Sequence, residues 1–236
     1  NCPLYEVGRD FLYAAGEHSL EGQSFTVWQA GQNPLEAADL RTSLLGLHQV
    51  ENGATAYAAL QIASRQGVPV TVEAIRRGFA AVRWPGRFEL LRNEPPVIVD
   101  SAHNRESALR LRQALDDYFP GRPVVLVFGV SEDKDVEGIL AELLPRAGQV
   151  ITTQSVHPRA MDAEKLAEMA RQLGGAPVQA VLPVEAALAE ALSQAGNDAV
   201  VLATGSLFIV AAVRDIWSKL FQNNKNHELR PAWPER

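Results

Sequence analysis

The chain has 236 residues, 47% hydrophobic, with a formal net charge of -6. That is enough apolar material for one large domain or two small ones, and the acidic balance argues against nonspecific nucleic-acid binding, which needs a basic face. A single cysteine, Cys2, excludes an intramolecular disulfide framework and a Cys-rich metal site, and no apolar run approaches the ~18 residues of a membrane span. No signal peptide is visible, so a cytoplasmic location is expected. Residues 1–47 read as short strands and turns: Leu4–Val7, Phe11–Ala15 and Ser24–Trp28, then a turn at Gln32-Asn33-Pro34 and a last apolar piece, Thr42–Leu45, closed by Gly46. They are expected to lack a full core of their own and to form the edge of a larger sheet. Residues 49–66 read as an Ala-rich helix stopped by Gly67. His48 and Asn52, four apart at its start, share a face if His48 is already helical. Thr71 caps a second helix running to Phe79.

Trp84-Pro85-Gly86-Arg87-Phe88-Glu89 reads as a hinge leading into a strand over 88–92. The always-charged guanidinium of Arg87 suits a phosphate; equally, it could pair with Glu89 or Glu94 on the surface. From here strands and helices alternate: strand 97–100, helix 105–119, strand 123–129, helix 136–144, strand 149–153, helix 162–173, strand 178–181, helix 184–194, strand 199–204 and helix 207–220. This pattern predicts an α/β fold with a Rossmann-like, mostly parallel, doubly wound sheet. Residues 222–236 are expected to be a polar tail.

In such a sheet, ligands bind at the carboxyl ends of the strands. Four strand ends carry chemistry: Asp100-Ser101-Ala102-His103-Asn104; Gly129 to Asp135 with Lys134; Ser155 with His157-Pro158-Arg159; and Thr204-Gly205-Ser206. Asp100 can accept hydrogen bonds from a ribose, hydroxyl or amine. His103 can stack or donate. Lys134 is a candidate for a substrate carboxylate, and Ser206 offers a hydroxyl at a helix N-terminus. Each has a plainer alternative: Asn104, Ser101 or Ser206 as an N-cap, Lys134 as a solvated charge. The sequence has no G-x-x-x-x-G-K-[ST], no G-x-G-x-x-G after a strand and no G-x-S-x-G.

Five strings, in order, resemble one family: Leu44-Leu45-Gly46-Leu47-His48-Gln49-Val50-Glu51-Asn52, Trp84 to Glu89, Asp100 to Asn104, Asp133-Lys134-Asp135 and Thr204-Gly205-Ser206. Together they resemble the bifunctional dihydrofolate synthase/folylpolyglutamate synthases of the Mur ligase superfamily, over about residues 1–221. Ser101 stands where the family motif usually has Gly, and Gly53 where Ala is more usual. The resemblance implies an ATP-dependent ligase that phosphorylates a carboxylate of dihydropteroate or of a folate glutamyl chain and joins it to L-glutamate. It implies that residues 1–81 are the end of a central ATPase domain and 82–221 the C-terminal domain. The phosphate loop and most magnesium ligands are then expected in a portion outside this chain, which alone would be inactive. By the same resemblance Asn52 and Asp100 meet the nucleotide, Asp100 at the ribose. Arg87 reaches the γ-phosphate, His103 lies near nucleotide or glutamate, and Lys134 and Ser206 hold the glutamate carboxylate. No metal ligand is assigned here, and a monomer acting on small molecules, without nucleic acid or membrane, is expected. Another Mur-type ligase of cell-wall peptides, or a non-catalytic nucleotide-binding α/β module, are the alternatives. The module would complete a stable sheet within residues 1–47; a ligase fragment would leave them poorly ordered or expose an apolar face there.

Overall fold

The computed structural model describes residues 3–33 and 37–222. Cys2, Pro34 and the tail beyond Gln222 lie outside the described residues. The chain divides into two compact units between Trp84 and Pro85.

In the first unit, β1 (Phe11–Ser19), β2 (Gly22–Gln29) and β3 (Ala38–Thr42) form an antiparallel meander, joined by α1 (Leu47–Arg65) and α2 (Val72–Ala81). Three expectations are corrected. Leu4–Val7 is not a strand; Val7 makes only an isolated bridge to Phe11. The strands expected over Phe11–Ala15 and Ser24–Trp28 run on toward each other, to Ser19 and from Gly22, so that Gly16 to Gln23 is the tip of the β1–β2 hairpin. The last strand is Ala38–Thr42 rather than 42–45: Ala38, Leu40 and Thr42 are buried while Asp39 and Arg41 are exposed, the period-2 alternation of a one-sided sheet. These strands also have a core. Phe25, Val27, Ala38 and Leu40 pack with Val50 and Ala54 of α1 and Ile75 of α2. A sheet with its own core is what the module alternative requires, so the order of this unit does not argue for the ligase reading. Tyr13, Trp28 and Leu44 are half-buried. Thr71 caps α2 by accepting from the Ala74 N–H at 3.1 Å, as its side-chain chemistry predicts.

The second unit holds a six-stranded sheet in the order β4-β5-β9-β6-β7-β8. β4 is Glu89–Asn93, β5 Pro96–Val99, β6 Val124–Phe128, β7 Ala147–Thr152, β8 Val178–Ala180 and β9 Val200–Thr204. β4 runs antiparallel to β5; the other pairings are parallel. The helices are α3 (Arg105–Tyr118), α4 (Val136–Leu143), α5 (Ala163–Leu173), α6 (Val184–Ala195) and α7 (Leu207–Gln222). α3, α4 and α5 pack side by side on one face, α6 and α7 together on the other. That explains the unbroken apolar runs in β5, β6 and β9. Val97, Val99, Val125, Val127, Val201 and Ala203 point toward α6 and α7, and the intervening Ile98, Leu126 and Leu202 are equally buried.

The connections place the site. β5 and β6 leave the sheet toward α3 and α4. β9, between them, leaves toward α7 on the opposite face. Loops that part in opposite directions open a crevice at the carboxyl edge of the sheet.

Candidate functional site

The loop before β4 is the most constrained part of this edge. Asp100, at the end of β5, is 7% exposed. Its Oδ2 accepts from the Phe88 N–H at 2.7 Å and its Oδ1 from the Ala102 N–H at 2.8 Å. The Ser101 N–H donates to the Gly86 carbonyl at 2.9 Å. Phe88 has φ 41, a left-handed conformation that costs a bulky residue free energy, and the bond to Asp100 is one of the contacts that hold it. The Phe88 ring is buried against Tyr118 and Phe119 of α3 and its C-cap. Burial pushes the Asp100 carboxyl up to about 6, against the pull of the two N–H groups and the nearby positive charges of Arg87 and His103. Arg87 itself is half-buried. One of its two plain partners is engaged elsewhere: Glu89 pairs with Arg214 at 2.8 Å and accepts the Gly86 N–H at 2.7 Å.

His103 is exposed at the start of α3. Its Nδ1 lies 2.9 Å from the Ser101 carbonyl, which can only accept, so Nδ1 carries the proton. In the neutral ring Nε2 is then left with a free lone pair. Asn104 is the plain cap it could have been: it and Ser107 form a reciprocal capping box for α3.

After β6, Lys134 reaches Asp133 Oδ2 at 3.2 Å, and Arg159 lies 3.7 Å from the same oxygen. The hydrogen bond from Lys134 is the main reason the exposed Asp133 carboxyl is held below its usual range. Exposed pairs of this kind contribute little, so a substrate carboxylate can compete for Lys134. Asp135 caps α4 through the Gly138 N–H at 2.9 Å.

After β9, Gly205 has φ 105, and a Cβ there would lie 2.6 Å from the Gly129 carbonyl oxygen. Only glycine lets the β9 and β6 loops approach this closely. Ser206, 7% exposed, accepts the Ile209 N–H at 3.2 Å and so caps α7. Its hydroxyl proton remains available to an acceptor. His157 stacks on Phe208 with ring centroids 3.9 Å apart. Its Nδ1 accepts the Arg159 N–H at 3.2 Å, which makes it a loop-building residue.

Asp100, His103, Lys134 and Ser206 therefore all follow carboxyl ends of parallel strands in one sheet, with Arg87 on the loop tied to Asp100. Asn52 belongs to the first unit. It is exposed in the first turns of α1 and donates to Gln49 at 3.3 Å; Gln49 in turn lies 3.1 Å from the His48 ring. Among the described residues, no group of three or more His, Cys, Asp or Glu could hold a metal ion, and no helix is long and apolar enough to cross a membrane. The Glu89–Arg214 pair and the strained Phe88 were not legible from sequence, since both depend on α7 and β5 lying beside the loop.

A family model described as "Mur ligase, glutamate ligase domain" matches residues 86–207, the segment that carries these loops. The chain belongs to the Mur ligase family. Relatives agree. A probable bifunctional folylpolyglutamate synthase/dihydropteroate synthase of Halobacterium salinarum is 39% identical over 75% of this chain and 21% of its own length. The dihydrofolate synthase/folylpolyglutamate synthase of Mycobacterium tuberculosis is 42% identical over 55% of this chain and 27% of its own. Among solved structures, M. tuberculosis folylpolyglutamate synthase complexed with ADP superposes with a TM-score of 0.80 at 32% identity, covering 89% of this chain and 48% of that one. E. coli FolC in complex with DHPP and ADP gives 0.77 at 29% identity, over 91% and 47%. The chain thus spans less than half the length of these Mur ligase relatives. The fold is the one expected: a mostly parallel α/β sheet of the Mur ligase C-terminal kind.

Proposed function

We propose that this chain is the glutamate-accepting portion of an ATP-dependent amide ligase that extends dihydropteroate or a folate glutamyl chain with L-glutamate through an acyl phosphate. The observation that carries the reading is the gathering of Arg87, His103, Lys134 and Ser206 on the carboxyl-edge loops of a Mur ligase sheet. Residues 1–81 are read as the end of a central ATPase domain, with Asn52 contributing to the nucleotide site.

The donor set fits an anionic nucleotide and an amino acid. Arg87 is half-buried on a tied loop and has no carboxylate pair among the described residues. ATP, when bound, supplies the phosphoryl group that activates the acceptor carboxylate, and magnesium shields its charge. Among the described residues no His, Cys, Asp and Glu cluster could hold magnesium, whose ligands are read as lying mainly outside this chain. Arg87 offsets negative charge developing on the transferred phosphoryl group. Asp100 uses the lone pairs left after its two backbone bonds to accept from a ribose. His103, with Nδ1–H fixed on the Ser101 carbonyl, turns Nε2 toward an incoming ammonium and can take its proton. Lys134 exchanges Asp133 for the α-carboxylate of glutamate, and the Ser206 hydroxyl donates to the same group at the positive end of α7. The reading carries with it a monomeric cytoplasmic enzyme that engages neither nucleic acid nor membrane.

The test is ligation of L-glutamate to a folate acceptor by a full-length enzyme carrying this segment, against a muropeptide acceptor. Folate extension supports the reading; exclusive use of the muropeptide replaces it with the cell-wall alternative. Loss of Lys134 to Ala should raise the KM for glutamate about tenfold to a hundredfold, the worth of one charge-assisted hydrogen bond, with a smaller effect on kcat. The 236-residue chain alone should hydrolyse no ATP, because it carries no G-x-x-x-x-G-K-[ST]. Robust hydrolysis by that chain overturns the proposal.

A further inference from the structure

Helix α7 does more than start at Ser206. Ser206, Val210 and Arg214 recur every four residues and so lie along one stripe of the helix. Each end of the stripe meets an element of the candidate site. Ser206 caps the helix at the β9 loop. Val210 backs the hinge: a Cβ on Gly86, whose φ is 77, would lie 2.8 Å from Val210 Cγ1. One turn on, Arg214 pairs with Glu89 at 2.8 Å, and the same Glu89 oxygen accepts the Gly86 N–H at 2.7 Å.

The loop carrying Arg87 is therefore fastened on both sides. On the β5 side, the Phe88 N–H goes to Asp100 and the Gly86 carbonyl receives the Ser101 N–H. On the α7 side, the Gly86 N–H donates to Glu89, and Glu89 forms an ion pair with Arg214. Residue 87 lies between the two sets of ties. The Glu89 side chain is mostly buried and the Arg214 side chain more than a third exposed, so this pair loses less to solvent screening than a surface pair but is not sealed from water. Its position also removes Glu89 as a competitor for Arg87, which a carboxylate two residues away would otherwise neutralise.

We propose that Glu89 and Arg214 are positioning residues for Arg87: a strut from α7 that orders the Gly86–Phe88 loop and keeps the Arg87 guanidinium available to a phosphate. The inference rests on the phosphate role given to Arg87 above. It makes α7 a single rigid part holding both the Ser206 end and the Arg87 loop.

The experiment uses the 236-residue chain with Glu89→Gln, Glu89→Ala and Arg214→Met, read by nuclear magnetic resonance. The first readout is amide hydrogen exchange at Gly86 and Phe88, with β6 amides as the control for an intact sheet. The second is titration with inorganic tripolyphosphate, followed at the Arg87 side-chain Nε–H. Glu89→Ala and Arg214→Met should speed Gly86 exchange about tenfold or more and weaken tripolyphosphate binding at Arg87 by a similar factor, with β6 unchanged. Glu89→Gln keeps an oxygen for the Gly86 N–H and should fall between them and the parent. Unchanged Gly86 exchange in both Glu89→Ala and Arg214→Met overturns the strut. So does faster exchange with parental tripolyphosphate binding, which leaves Arg87's phosphate role intact. If the parent's Arg87 does not respond to tripolyphosphate but the loop loosens in the variants, the strut stands and the phosphate role of Arg87 fails.

Discussion

Asp100→Asn tests the electrostatics at the centre of the candidate site. Asp100 is buried with two backbone N–H donors, and its carboxyl is raised from 3.8 to about 6. The proton is bound more tightly in the folded chain than in the unfolded one, so between those values the folded state holds more protons. Stability then falls as pH rises through the window. The contribution is fully present below about 3.8 and lost above about 6. Two pK units correspond to roughly 3 kcal/mol. Asparagine resembles the protonated acid in charge and shape but cannot titrate. It turns an N–H₂ toward one of the two backbone donors, so it is expected to weaken the loop at every pH by a constant amount. The measurement is urea unfolding of parent and variant from pH 4 to 7.5, followed by tryptophan emission, with Trp217 reporting on the second unit. The parent should lose about 2 kcal/mol relative to the variant between pH 4 and 7, most of it by pH 6. Parallel curves for the two proteins would mean that Asp100 does not titrate in that window and that its desolvation has been misjudged.

Three further outcomes follow from the packing. Glu142, 8% exposed, holds Arg105 and Arg112 at 3.0 Å each across α3 and α4; Glu142→Ala should cost about 2 kcal/mol, less than a sealed pair because Arg105 is largely exposed, as a lower urea midpoint will report. A Cβ on Gly53 would lie 2.6 Å from Phe25 Cζ, in the first unit's core. Gly53→Ala gains about 1 kcal/mol of helix propensity but costs about 1–3 in overpacking, and should be net destabilising in the parent and stabilising in a Phe25→Leu background. Gly205→Ala, facing backbone at 2.6 Å with φ 105, should cost about 3 kcal/mol and broaden the Ser206 and Gly129 amide resonances; a thermal melt within 2 °C of the parent contradicts the close approach.

The second unit was readable because its strands are buried on both faces. Val124–Phe128 and residues 200–203 have no polar residue to blur the period, and the chemistry follows each run. The first unit was less readable. β3 carries Asp39 and Arg41 between small or single apolar residues, so its alternation is faint until Phe25 and Val50 are seen beneath it. The hairpin tip was hidden because β1 beyond Tyr13 is exposed, with small and polar residues that show no apolar alternation. Of the candidate site residues, strand-end positions pointed to Asp100, Lys134 and Ser206. Nothing local could give the Glu89–Arg214 pair, because their partnership exists only once α7 packs beside β5. Nor could spacing tell that Asp100 spends two of its lone pairs on its own backbone.

The strand that completes the sheet is made last. β9 lies between β5 and β6, yet it follows every other strand among the described residues. As the polypeptide leaves the ribosome, β5 and β6 cannot be bridged, and their apolar edges wait for residues 200–204 to arrive. A message cut short before that point yields two strand clusters with a central gap rather than a smaller stable sheet. Such products are expected to associate through the open edges and to be cleared by proteases.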